Sequence, residues 1–207
     1  MSAYINITII LDSIMGSFMI VSQFANSGNL RDYLQQKIVY EDVFVINWTE
    51  VIQIARQIIS GLQYLYSKRI IHRNLYSKNV LVQDGIFLIS DFGTEWKFDR
   101  NVFSICQGVE MPEYTDSWCY IYEELFYPNI KSDIYSLGLI LWELTSRTLP
   151  FSNISNKLAI GWLIAYKGLR NESILGTPSD YNKLCNEYCV INPKNYPELD
   201  EILRRVQ

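Results

Sequence analysis

The polar residues whose spacing could support chemistry lie between His72 and Asp91. His72 is the one histidine of the chain, and Cys106, Cys119, Cys185 and Cys189 are few and irregularly spaced. That set suits neither a zinc site nor a disulfide framework, and the cysteines read as reduced thiols. The denser cluster is Ile71-His72-Arg73-Asn74-Leu75-Tyr76-Ser77-Lys78-Asn79, followed by Asp91-Phe92-Gly93. Asn79 and Asp91 offer amide and carboxylate oxygens, donors that a hard cation accepts alongside phosphate and water. Asn74 offers a neutral, practically non-basic amide. Singly, each residue has a plainer role: Asn79 and Asp91 as turn residues beside a hairpin, His72 as a satisfied core histidine, Asp133 as a carboxylate at a helix N-terminus. The joint spacing gives the cluster its weight.

The surrounding pattern supplies elements to hold it. Residues 5–11 and 18–24 are apolar, β-branched runs separated by Gly16-Ser17, which predicts an antiparallel hairpin. From Asn47 the period changes, with Trp48, Val51, Ile52, Ala55, Ile58, Ile59, Leu62 and Leu65 at helical spacing behind an Asn47 cap. Residues 80–82 and 86–89 flank Asp84-Gly85 and predict a second hairpin. Residues 91–129 hold no sustained period and read as one long loop. Residues 133–144 are apolar on nearly every face, as in a helix buried all round. Helical segments near 156–168, 178–190 and 197–206 complete an α+β chain that is mainly helical after its opening strands.

Composition bounds the function. With 207 residues, 49% hydrophobic and 19% charged, the chain can bury one core as one domain. A net charge of −4 argues against nucleic acid as a partner. No apolar run reaches the length of a bilayer span, and the N-terminus lacks the basic start of a secretory signal, so neither membrane nor export is expected and the reading is cytoplasmic.

The string from Ile71 to Asn79 resembles the catalytic loop of protein kinases, H-R-D-L-x-x-x-N, and Asp91-Phe92-Gly93 resembles their magnesium motif. Ser132-Asp133-Ile134-Tyr135-Ser136-Leu137-Gly138 followed by Trp142-Glu143-Leu144 is similar to the buried helix of the kinase large lobe. Residues 19–30 are similar to the strand and hinge joining the two lobes, with Ser22 as gatekeeper, and residues 168–197 are similar to the end of tyrosine-kinase-like (serine/threonine) domains. The resemblance implies a kinase C-lobe over residues 26–207, preceded by residual N-lobe strands and hinge over residues 1–25. It also implies Mg-ATP as cofactor, with Asn79 and Asp91 on the metal, Gln23, Ala25 and Leu81 on the nucleotide, and Arg73, Asn74 and Lys78 at the catalytic positions.

Departures from the pattern shape the functional expectation. Asn74 stands where the family carries its catalytic aspartate, and an amide accepts no proton from a substrate hydroxyl. Upstream of the first strand there is no room for a Gly-rich loop or a strand lysine, so nucleotide binding is expected to be weak or lost and Asn74→Asp to rescue little. At the end of the activation segment Tyr122-Glu123-Glu124 aligns with Ala-Pro-Glu, and Tyr196 holds the place of the arginine that pairs with that glutamate. Arg73 could meet a phosphate on Ser104, Tyr114, Thr115 or Ser117. The leading expectation is a pseudokinase that acts by binding another protein. The alternatives are a divergent ATP-dependent serine/threonine or tyrosine kinase, by itself or as a fragment of a longer chain, and a decaying gene product.

Overall fold

The computed structural model describes residues 7–11, 18–40, 47–92, 111–122, 126–188 and 192–206. Two short strands open the fold, β1 (Ile7–Leu11) and β2 (Phe18–Ser22), antiparallel with Ile7 opposite Ser22. Helices α1 (Leu30–Tyr40) and α2 (Trp48–Ser67) follow. A second hairpin pairs β3 (Val80–Gln83) with β4 (Ile86–Ile89). The rest is helical: α3 (Ser117–Tyr122), α4 (Ile130–Ser146), α5 (Lys157–Lys167), α6 (Ser179–Glu187) and α7 (Leu199–Arg205). The architecture is therefore α+β and mainly helical, as the sequence predicts.

Two helices carry the core. Asn47 caps α2, its side chain accepting the Glu50 N–H at 3.2 Å, and Val51, Ile54, Ala55, Ile58, Ile59, Leu62 and Leu65 form one buried face. Each large aliphatic side chain so buried contributes about 1.5–3 kcal/mol. Helix α4 starts on a reciprocal cap in which Asn129 accepts from Lys131 N and Ser132 Oγ accepts from Asn129 N. It is buried along nearly its whole length and ends at Arg147 in the left-handed conformation. Gly138 lets α4 approach the segment after α6, because a Cβ there would lie 2.3 Å from the Tyr188 side chain.

The hinge segment joins the second hairpin. Ser27 N donates to Val82 O (3.0 Å), Val82 N donates to Gly28 O (2.9 Å), and Asn29 bridges Leu81. The tight turn between β3 and β4 uses positive φ at both Asp84 (50°) and Gly85 (76°), matching the right-handed twist of the strands.

Candidate nucleotide and phosphoryl-transfer site

The loop from His72 to Asn79 is held from below by α4. Asp133, in the first turn of that helix and 1% exposed, accepts the backbone N–H of His72 and of Arg73, each at 2.8 Å, and the Tyr66 hydroxyl at 3.1 Å. Burial pushes the Asp133 carboxyl up to about 6, against the pull of those hydrogen bonds. The plain reading of Asp133 as a helix N-terminal carboxylate was thus half of its role. Arg73 adopts a φ of 68°, a conformation disfavoured for a side chain with a Cβ, so the clamp holds a strained backbone.

His72 is buried, its Nδ1 accepts the Asn74 N–H at 3.3 Å, and its ring meets Phe92 edge-on at 6.5 Å. Burial lowers its pKa to about 4, so the imidazole is neutral at pH 7. It packs between the loop and the Asp91-Phe92 strand exit and is placed to support, not to exchange protons.

The two expected metal ligands are brought to one place. Asn79 is 8% exposed and its Nδ2 donates to the Asn74 carbonyl at 2.8 Å. That commits the amide nitrogen and leaves Oδ1 as the atom suited to a cation. The Asn79 carbonyl accepts both the N–H (2.9 Å) and the hydroxyl (3.0 Å) of Ser90, which pins the residue before Asp91 beside it. Asp91 is exposed, has φ 58°, and acts electrostatically on His72. Among the described residues no cluster of three or more His, Cys, Asp or Glu could hold a metal. The Asn79–Asp91 pair therefore fits magnesium only if phosphate and water complete its shell, as magnesium prefers. Such a metal would supply charge neutralisation on the phosphates.

The expected nucleotide contacts lie along the hinge. Gln23 Nε2 donates to Gln83 Oε1 at 2.7 Å. Val80 and Val82 point into the core, so Leu81 and Gln83 share the opposite, half-exposed face, turned toward the hinge. Ala25 is half-buried, and Arg73 and Lys78 are exposed, flanking half-buried Asn74.

Sequence reading missed a buried polar network next to this loop. Arg31 of α1 forms an ion pair with Glu143 of α4, both buried, and the Tyr114 hydroxyl donates to Glu143. Ser77 Oγ lies 3.5 Å from the Tyr114 hydroxyl, and the Tyr76 ring lies 6.1 Å from that of Tyr114. Burial raises the Glu143 carboxyl to about 7, opposed by the Arg31 charge and the Tyr114 hydrogen bond. An i,i+4 Leu30–Leu34 stripe could have marked helix α1 itself, but no sequence signal records the contact of Arg31 with Glu143 and Tyr114.

The end of the activation segment differs from expectation. Tyr114 and Ser117 are 4% and 1% exposed, so neither hydroxyl can take a phosphate in this arrangement. The Tyr196 hydroxyl reaches Asp116 Oδ1 at 3.5 Å, and that oxygen also caps α3 by accepting Trp118 N at 3.0 Å. The carboxylate that meets Tyr196 is thus Asp116, at the start of α3, whereas Tyr122 ends that helix, which shifts the correspondence with Ala-Pro-Glu toward Tyr114-Thr115-Asp116. Gly93, Ser104, Glu123 and Glu124 lie outside the described residues. Cys119 is disulfide-bonded and Cys185 is a buried free thiol, so the expectation of reduced cysteines fails at Cys119.

A hinge strand beside a β-hairpin, an Asp-anchored loop and a buried central helix together define the large lobe of a protein kinase. The family model for protein tyrosine and serine/threonine kinases matches residues 4–206. The chain belongs to that family. It is 35% identical over 186 residues to a probable LIM domain-containing serine/threonine-protein kinase of Dictyostelium discoideum, covering 88% of this chain and 18% of that protein. It is 28% identical over 200 residues to the tyrosine-protein kinase csk-1 of Caenorhabditis elegans, covering 96% and 35%. A serine/threonine/tyrosine-protein kinase of Arabidopsis thaliana is 33% identical over 141 residues, covering 67% and 34%. The chain thus spans roughly a third or less of these relatives' lengths. No helix among the described residues is long and apolar enough to cross a membrane.

Proposed function

We propose that this domain is a catalytically impaired kinase, a cytoplasmic pseudokinase that works by binding a protein partner. One observation supports the reading: Asn74, aligned with the base position by the resemblance, is a neutral amide in a loop whose backbone is held by Asp133, His72 and Asn79. A general base is worth about 10²–10⁴ in rate, or roughly 3–5 kcal/mol of barrier. A neutral amide supplies none of it. The test is Mg-dependent ATP binding to the purified chain and to Asn74→Asp, followed by phosphate transfer to a generic protein substrate. No transfer from the unmodified chain is the expected result, and turnover near the 1–100 s⁻¹ typical of kinases would end the proposal. The retained pair of Asn79 and Asp91 favours a second reading, a divergent kinase that binds Mg-ATP and transfers slowly. Saturable Mg-dependent ATP binding with slow transfer, accelerated in Asn74→Asp, would support it.

A further inference from the structure

We propose that Cys119 is joined to Cys189 and that this disulfide is a redox-operated clasp tying α3 to the end of α6. Cys119 is disulfide-bonded and buried. The chain holds four cysteines, of which Cys185 is unbonded, so the partner within the chain is Cys106 or Cys189. Both lie outside the described residues. A disulfide forms only where the two Cα atoms stand about 4.4–6.8 Å apart, so the surroundings of Cys119 choose between them.

On a helix, positions three apart share a face and neighbouring positions lie about 100° apart. Asp116, three residues before Cys119, accepts from the Tyr196 hydroxyl at 3.5 Å, and the Tyr196 ring lies 6.3 Å from that of Tyr135 on α4. One turn further along α4, Gly138 packs against the Tyr188 side chain. Tyr188 and Tyr196 thus place both flanks of Cys189 along one side of α4, next to the face that Cys119 shares with Asp116. Tyr120 turns to a different side. Its ring fills the space over Gly161 of α5, and its hydroxyl donates to the Pro112 carbonyl at 3.3 Å. The chain leading back to Cys106 therefore departs from the α5 side of the helix, and the chain around Cys189 meets the Cys119 side.

The clasp has two folded states. Without the bond, α3 keeps the Asp116 cap on Trp118 N (3.0 Å), the Tyr120 ring over Gly161 and the hydrogen bond from the Tyr166 hydroxyl to the Tyr120 carbonyl (3.1 Å). The hydrophobic core around α2 and α4 does not include Cys119. The dithiol form therefore folds, with α3 less firmly seated. Six residues make too short a helix to stand alone, and its brief unseating gives a reagent access to the buried sulfur. Oxidation by glutathione disulfide balances: one thiolate of the pair displaces a glutathione thiolate to give a mixed disulfide, and the second thiolate displaces the other glutathione. The two cysteines lose two electrons, glutathione disulfide gains them, and the two thiol protons end on two glutathiones. Excess glutathione reverses both steps. The closed bond encloses α4, α5 and α6 whole, and in the chain-entropy account long loops gain most from closure.

The test equilibrates the purified chain with glutathione mixtures from fully reduced to fully oxidised, blocks the remaining thiols by alkylation and maps the product by mass after cleavage at glutamate. Glu110, Glu113, Glu123 and Glu187 stand between the cysteines and separate all four. The oxidised chain should yield the Cys119 peptide joined to the Cys189 peptide, with Cys106 and Cys185 alkylated, and the reduced chain should be alkylated at every cysteine. The oxidised chain should melt roughly 4–16 °C above the reduced one, as a disulfide closing a long loop implies for a chain of this size. Cys189→Ala should melt with the reduced wild type under both conditions, and Cys106→Ala should keep the full difference. The peptide map and the wild-type melting stand even where a variant fails to fold. Cys119 joined to Cys106 or to a second chain would overturn the proposal. So would four thiols under glutathione disulfide, a bond that survives excess reduced glutathione, or one melting temperature for both forms.

Discussion

Replacing Arg31 with methionine keeps much of the side chain's bulk and removes the positive charge paired with Glu143. Glu143 binds its proton more tightly in the fold, at about 7, than at its ordinary 4.5. Its contribution to stability is therefore full below about 4.5 and is lost as pH rises through 7. Without Arg31 the carboxyl titrates higher still, so the gap between wild type and variant should widen with pH. Near pH 8.5 the variant leaves a buried carboxylate with its charge uncompensated, a loss of about 3–5 kcal/mol. Near pH 5.5 the carboxyl is mostly protonated in both proteins. What is lost there is chiefly the hydrogen bond from Arg31 Nη1 to Arg147 O (3.3 Å), worth about 1 kcal/mol. Urea unfolding followed by tryptophan fluorescence at both pH values measures the difference. Arg31→Met/Glu143→Gln should recover most of the alkaline loss, because the amide still accepts from Tyr114. An equal loss at both pH values, or a larger one in acid, would refute the coupling.

Three further outcomes are expected. The chain's single histidine should give one set of imidazole NMR signals that titrates near 4, with the ring neutral from pH 5.5 to 8, and a midpoint near 6.5 would place His72 in water. Gly138→Ala should lower the melting temperature through overpacking of about 1–3 kcal/mol, and Tyr188→Ala in the same background should make the two changes non-additive in a double-mutant cycle. Asp116→Ala removes the α3 cap and should cost about 0.5–2 kcal/mol, more than Tyr196→Phe, whose hydroxyl contact is long at 3.5 Å. The reverse order in thermal unfolding would make Tyr196 the principal anchor.

How far the sequence could be read follows the strength of each local signal. Helix α2 was legible because a cap and a continuous apolar stripe agree, and β3–β4 because Asp84-Gly85 forces one kind of turn. The loop at His72–Asn79 and the strand exit at Asp91 were legible as motifs, and the hydrogen bonds from Ser90 to the Asn79 carbonyl join the two segments. Helix α1 escaped because its polar face outweighs a narrow Leu30–Leu34 stripe. Helix α3 escaped because six residues carry no period. The Arg31–Glu143–Tyr114 network was out of reach for a different reason. Its members come from three separated segments, and nothing in their spacing records a contact made only after α4 is packed.

The Asp133 clamp touches the backbone of the loop at His72 and Arg73, and Asn79 grips the main-chain oxygen of residue 74. None of these bonds consults the side chain at 74. A substitution that alters only that side chain leaves each of these bonds intact, so the loop can be held with an amide or a carboxylate at 74. By the same geometry Asn79 has structural work to do whether or not a metal ever arrives. Its presence alone therefore speaks for the loop's structure and not for a reaction.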